Sequence, residues 1–338
     1  MAASVALATV VGVIADRHPS ASEVTEGVVG GPLALSPAKA VPGSPTAPVE
    51  ALAAPAPTTT ATATTATTAA PTPTTVHRPA AVAPVAKPKR PGPGTVQSFT
   101  MPSGDSDGHR RAFWVYRPGL PDSADLPVVY FLHGYPGNER AVAQTDLAWT
   151  LEQLFASGVP PFVLVAPNGQ SASRPDTEWA DSVDGKVRLE SFVVDNLVPA
   201  VEGANRRDRA HRALFGFSMG GFGAMNLGLH HPDLFGQIVS VAGYFRIDDP
   251  SGMGRRDQQW EAANSPDKHV AAGAGSRILL VSAAEEQDDL IVGEAQRFRR
   301  LAEAAGQHPQ FVVAPGPHLF SMVIDQLPTV ARFLGAGW

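Results

Sequence analysis

Cysteine is absent from this 338-residue sequence. That excludes a disulfide framework, a thiol nucleophile and a cysteine-ligated metal centre. A basic excess is missing too: the formal net charge is -6, and nothing points to nucleic acid as a partner. Nor does the chain open with a run long enough to span a bilayer. Ala2–Ile14 is apolar and free of charge, but its length of about 13 residues falls short of the roughly 20 that a span needs. No basic residue precedes it: either residues 1–15 are a signal or anchor segment with a weak start, or the true start lies upstream. No internal repeat is visible.

Proline, by contrast, is plentiful at 32 residues and unevenly spread. Residues 16–94 are largely Ala, Pro, Thr, Ser and Val, with a threonine-rich tract from Thr58 to Thr75. Such a composition has no helical or strand period and too little apolar surface to offset its ordering entropy. The expectation is a disordered, semi-extended spacer that tethers residues 95–338 to a membrane or cell wall.

From Thr95 onwards short apolar runs alternate with turn signals, and residues 95–338 read as one domain. Arg110–Tyr116 alternates like an exposed edge strand. Val128–Leu132 is continuously apolar, as a strand buried on both faces must be. Phe162–Val165, Ala213–Phe217, Gln237–Val241, Arg277–Ser282 and Gln310–Val313 read as further strands. Helical stretches fall at 146–155, 191–201, 222–229, 292–305 and 320–334. Strands alternating with helices predict an α/β fold with a mainly parallel, doubly wound sheet.

In such a sheet, function collects beyond the carboxyl ends of the strands. After Leu132 comes His133-Gly134-Tyr135-Pro136-Gly137, whose small residues leave room for a backbone N–H, that of Tyr135, to point into a site. After Phe217 comes Ser218, inside Gly216-Phe217-Ser218-Met219-Gly220. This is the G-x-S-x-G pattern of a strand-turn-helix elbow, which aims the hydroxyl out of the sheet and the Met219 N–H at the space where an oxyanion forms. After Ser282 comes an acidic cluster, Glu285-Glu286-Gln287-Asp288-Asp289, and after Val313 comes Pro315-Gly316-Pro317-His318. Serine, acid and histidine thus follow one another in chain order, each just past a strand, as nucleophilic acyl transfer on this architecture requires.

The stretch from Phe113 to Leu334 resembles the esterase family of α/β-hydrolases, which includes esterase D, feruloyl and enterochelin esterases and the mycolyltransferases. The resemblance rests on Phe131-Leu132-His133-Gly134, on Gly216 to Ala224 with its Ser-Met-Gly-Gly core, on His231-Pro232-Asp233-Leu234-Phe235, and on Gly316-Pro317-His318. It implies the α/β-hydrolase fold, Ser218 as nucleophile, His318 as base and an acid after the penultimate strand. Asp288 and Glu286 both suit that acid, Asp248 follows more distantly, and Ala283 replaces the glycine usual in this loop. Such a triad needs no metal or cofactor.

The remaining candidates have competing readings. His230 and His231 close a helix, His308 sits at the wrong edge of the sheet, and His133 shapes the oxyanion loop. Trp149, Trp179, Tyr244, Phe245 and Phe320 line a substrate pocket or fill the core; Trp179 and Tyr244 are the candidate substrate contacts. Glu178 and Asp181 bind polar groups of the substrate or cap structure. Three functions fit: a carboxylesterase acting outside the cytoplasm, an acyltransferase of mycolyltransferase type, and a stalk-borne binding module with a vestigial triad.

Overall fold

The computed structural model describes residues 10–12, 92–106, 108–120, 125–247, 249, 251–286 and 291–338. The signal or anchor segment and the spacer lie outside them, apart from Val10–Gly12 and residues 92–94. Among the described residues no helix is long and apolar enough to cross a membrane.

Among the described residues nine strands form one sheet: β1 (Val10–Gly12), β2 (Gly92–Pro102), β3 (Arg110–Gly119), β4 (Val128–Leu132), β5 (Val163–Pro167), β6 (Arg212–Phe217), β7 (Gln237–Val241), β8 (Arg277–Glu285) and β9 (Gln310–Pro317). Their order is β1-β2-β3-β5-β4-β6-β7-β8-β9. The pairs from β1 to β2, β3 and β5 are antiparallel, and every pair from β5 to β9 is parallel. The doubly wound parallel sheet expected from the sequence is therefore present.

β3 departs from expectation. Rather than an exposed edge, it lies between β2 and β5, and Phe113, Val115 and Tyr116 are buried. β2 is hidden in the sequence because Gly92, Pro93 and Gly94 open it, inside the stretch assigned to the spacer.

The core falls into two layers, one on each face of the sheet. Val128, Tyr130, Leu132 and Leu214 belong to one; Val129, Phe131, Ala213, Phe215 and Phe217 belong to the other. Successive strand side chains point to opposite faces, so a strand covered on both sides must be apolar throughout. The α-helices are α1 (Ala141–Gln144), α2 (Leu147–Ala156), α3 (Leu189–Ser191), α4 (Val198–Glu202), α5 (Met219–His230), α6 (Gln258–Ala263), α7 (Glu294–Ala304) and α8 (Ser321–Gly335) among the described residues; α2 and α8 pack on the second face. On the first lie α5 (Met219–His230), α7 (Glu294–Ala304) and a helical run through a π-helical segment at Phe192–Leu197.

Register then sets the rim. Leu132 pairs with Gly216, Phe217 with Val241, and Ala283 with Ala314, so β4, β6, β7, β8 and β9 end along one edge. β8 and β9 run further than the sequence indicates, to Glu285 and Pro317, which places Glu285 in the strand.

Candidate active site

Ser218 occupies the turn between β6 and α5, with φ 57° and ψ -122°. That conformation is strained for a side-chain-bearing residue and persists only where the surroundings enforce it. Here they do. A Cβ on Gly216 would lie 1.8 Å from the Gly220 carbonyl oxygen, and one on Gly220 would lie 1.9 Å from the Leu132 carbonyl oxygen. The Ser218 N–H donates to Val241 O at 2.9 Å, and Ser218 O accepts from the Phe222 N–H at 3.0 Å. The elbow is thus locked on both sides. The Met219 N–H is the first of α5, a donor with no partner inside its own helix.

His318 reaches this serine from just past the end of β9, 100 residues further along the chain. The Ser218 hydroxyl donates to His318 Nε2 at 2.9 Å. The imidazole lies against the Phe217 ring, centroids 4.9 Å apart, and Phe320 closes edge-on behind Phe217.

The His133–Gly137 loop stands on the other side of the hydroxyl. A Cβ on Gly134 would come within 2.9 Å of Ser218 Cβ, so glycine is what lets the loop and Ser218 touch. Within the loop, Gly134 O accepts from the Gly137 N–H at 2.7 Å and contacts His133 Nδ1 at 2.9 Å. His133 Nε2 accepts from the Gly169 N–H at 2.9 Å, which leaves the proton on Nδ1 to donate to Gly134 O. Burial pulls the His133 pKa down to about 4, keeping the ring neutral. In a trans peptide the N–H lies in the peptide plane and points opposite to the C=O. Both bonds to Gly134 O therefore fix the direction of the Tyr135 N–H. His133 shapes the loop, as expected. Further braces run from Gln170 Nε2 to Pro136 O at 2.8 Å and from Asn168 Nδ2 to Glu139 at 2.6 Å.

A cavity of about 400 Å³ opens between this loop and the histidine. Tyr135, Phe217, Leu319 and Phe320 give it apolar walls, and Asn138, Gln144 and Thr145 give it polar ones. Tyr135 and Leu319 stand at its mouth, 48% and 57% exposed.

The other candidates fall elsewhere. Trp179 is wholly buried, its indole N–H donating to His133 O at 3.1 Å. Tyr244 is nearly buried, stacked on Phe222, and its hydroxyl donates to Glu178 at 2.5 Å. Phe245 is core and Trp149 faces solvent from α2; of the five candidate pocket aromatics, only Phe320 lines the cavity. Asp181 caps structure, accepting from the Ser191 N–H and hydroxyl. His308 borders a cavity with Arg277 and Phe333, near the start of β9. His230 and His231 share Glu190 at the end of α5.

Glu286 Oε1 accepts from the Ala283 N–H at 3.0 Å and the Ser282 hydroxyl at 3.4 Å. Burial raises its pKa, and those bonds pull back against it. Asp288 and Asp248 lie outside the described residues.

The Esterase family model ("Putative esterase") matches residues 105–332. The chain belongs to the Esterase family. "Putative esterase NocK" of Nocardia uniformis subsp. tsuyamanensis is 32% identical to this esterase-family chain over 184 residues, 49% of it and 51% of NocK. An endo-1,4-beta-xylanase/feruloyl esterase of Xylanibacter ruminicola is 29% identical over 179 residues, 50% of this chain and 23% of its own. The chain thus spans about half the length of the first relative and under a quarter of the second. Among solved structures, a ferulic acid esterase superposes with a TM-score of 0.64 over 72% of this chain and 99% of its own, at 23% identity. At that identity the likeness shows the shared α/β-hydrolase fold.

Proposed function

We propose that this chain is a serine carboxylesterase. The observation that carries the reading is the 2.9 Å bond from the Ser218 hydroxyl to His318 Nε2, made at a strained elbow between residues 100 apart in sequence. A serine hydroxyl is a weak nucleophile at neutral pH and needs such a base within reach. Ser218 Oγ attacks the ester carbonyl carbon while His318 Nε2 takes its proton. The carbonyl oxygen becomes an oxyanion, held by the N–H groups of Met219 and Tyr135, each worth about 3 kcal/mol. The imidazolium then protonates the departing alkoxide, and the C–O bond breaks to leave acyl-Ser218. Water, deprotonated by the same nitrogen, releases the acid and restores the serine.

The carboxylate that steadies the imidazolium comes from the loop after β8. Asp288 is the preferred acid and Glu286 the alternative, since Glu286 already accepts from Ser282 and Ala283. The substrate is an uncharged ester with one compact group, aromatic or short aliphatic. Support comes from the apolar walls and the 400 Å³ volume beside His318, and from relatives named for feruloyl and ferulic esters. The Pro/Thr/Ala-rich composition of residues 16–94, behind the apolar residues 1–15, supports an enzyme working outside the cytoplasm and tethered to the cell envelope.

Nitrophenyl esters of graded acyl length, presented with and without an acceptor alcohol such as trehalose, test this reading. Hydrolysis peaking at short or aromatic acyl groups is expected, as is a loss of at least about a thousandfold in Ser218→Ala. Unchanged turnover in that variant rejects the assignment, and acylated alcohol as the main product replaces hydrolysis by transfer.

A further inference from the structure

The Tyr135 N–H is only as well placed as the peptide that carries it. The bonds to Gly134 O fix the tilt of that peptide, and one of the two comes from the His133 ring. One side chain holds His133 from behind. The Trp179 indole N–H donates to His133 O, and the His133 ring meets the indole edge-on with centroids 5.1 Å apart.

Two glycines make room for this indole. A Cβ on Gly169 would fall 2.4 Å from the Trp179 ring, and one on Gly223 would fall 2.5 Å from the Trp179 side chain. Gly169 also supplies the N–H that fixes the His133 tautomer, whereas Gly223 belongs to α5, the nucleophile helix. Trp179 therefore spans the frame of Ser218, the frame of the oxyanion loop and the loop that follows β5. Its backbone is held for the purpose. Glu178 and Trp179 are consecutive left-handed residues, φ 54° and 55°, where a side chain other than glycine's is disfavoured. Thr177 Oγ1 anchors the approach on Gly169 O at 2.5 Å, and the Glu178 carboxylate accepts from Tyr244.

We infer that Trp179 is a positioning residue for the oxyanion hole, setting the distance and tilt of the Tyr135 N–H relative to Ser218 through its bond to the His133 carbonyl. The inference rests on the esterase reading above. It gives a buried tryptophan a part in the rate, since a misplacement of about 1 Å at a reacting centre can cost about a hundredfold.

The test compares wild type, Trp179→Phe and an isostere carrying 3-benzothienylalanine at position 179, which keeps the bicyclic ring and removes only the N–H donor. Turnover of a nitrophenyl ester is measured per active site, counted by burst titration. Two inhibitors accompany it: an aryl trifluoromethyl ketone, which forms a tetrahedral adduct on Ser218, and a substrate-shaped ether, which cannot. The expected result is a fall of about tenfold or more in kcat and in trifluoromethyl ketone affinity together. KM and ether affinity stay within about twofold. Wild-type kcat per titrated site in either variant overturns the inference. So does a parallel fall in both inhibitor affinities, which would mean that the pocket itself has collapsed. If Trp179→Phe does not fold, the isostere decides. Failure here leaves Ser218→Ala inactive, whereas failure of the esterase reading leaves Ser218→Ala active.

Discussion

Adding one methyl group at Gly134 should disable catalysis while leaving the fold standing. In Gly134→Ala the new Cβ would lie 2.9 Å from Ser218 Cβ, 3.0 Å from Phe217 O and 3.2 Å from Phe217 Cδ1. Carbon atoms rest at about 3.5 Å or more, so loop and elbow must separate by about 0.6 Å. The elbow cannot give way, because Gly216 and Gly220 already sit against backbone with no room for a Cβ. The His133–Gly137 loop must move instead, and the Tyr135 N–H moves with it. An oxyanion donor works at about 2.7–3.1 Å, and a retreat of about 0.6 Å takes it beyond that range. Losing one donor costs about 10²–10³ in kcat, or roughly 3–4 kcal/mol. The assay is steady-state hydrolysis of a nitrophenyl ester beside a thermal melt. A kcat down about a hundredfold or more, with KM changed little, is expected. A kcat close to that of wild type would refute the close contact between the loop and Ser218.

Two further outcomes concern stability. At Glu190, burial raises the carboxyl pKa, but the hydrogen bonds and charges of His230 and His231 outweigh it and carry the value down to about 2. For His230, burial works against the charged form and Glu190 wins, raising the pKa. A depressed carboxyl stabilises the fold above its unfolded value and loses that contribution as pH falls from about 4.5 towards 2. A raised histidine stabilises below its unfolded value and loses the contribution as pH rises past its folded one. Glu190→Gln should therefore lower Tm by about 5 °C near pH 5–6, by calorimetry, with the deficit shrinking at about pH 9; a deficit independent of pH contradicts the pairing. At the opposite rim, Glu202 holds Arg212 through two 2.7 Å bonds, with both side chains almost wholly buried, and also accepts from the Tyr130 hydroxyl. Glu202→Gln leaves a buried guanidinium without its anion and should cost about 3–5 kcal/mol. Chemical denaturation reads that loss, kcat per folded molecule should stay unchanged, and a loss below about 1 kcal/mol would show that the guanidinium finds another anion.

Where chemistry and periodicity coincide, the sequence is legible. The apolar runs at 128–132, 213–217 and 237–241 match β4, β6 and β7 closely, because burial on both faces leaves no other composition. The glycines around Ser218 declare their turn because only glycine fits there. Strand ends taken in order bring Ser218 and His318 to one rim, where the two side chains do meet. Side-chain direction is not legible. Trp179 reads as a pocket wall from sequence, but its place under the loop depends on two left-handed residues that no periodic pattern marks. The brace through Gly169, Asn168 and Gln170 escapes sequence reasoning for a related reason: many of its bonds use backbone groups, which look alike in every sequence. The Asn168-Gly169 pair at the end of β5 is the one signal that points there. β3 looks like an edge because its alternation, which reflects unequal cover on its two faces, says nothing of a neighbour beside it.

Ser218 is the residue that must take the acyl group if this chain is an esterase. Wild-type protein should be treated with an activated phosphonate ester, digested and mapped by mass spectrometry, with His318→Ala and Ser218→Ala alongside. One phosphonyl group on the Ser218 peptide is expected, formed far more slowly in His318→Ala and absent from Ser218→Ala. Stoichiometric labelling of any other residue with loss of activity, or full activity after Ser218 is blocked, would contradict it.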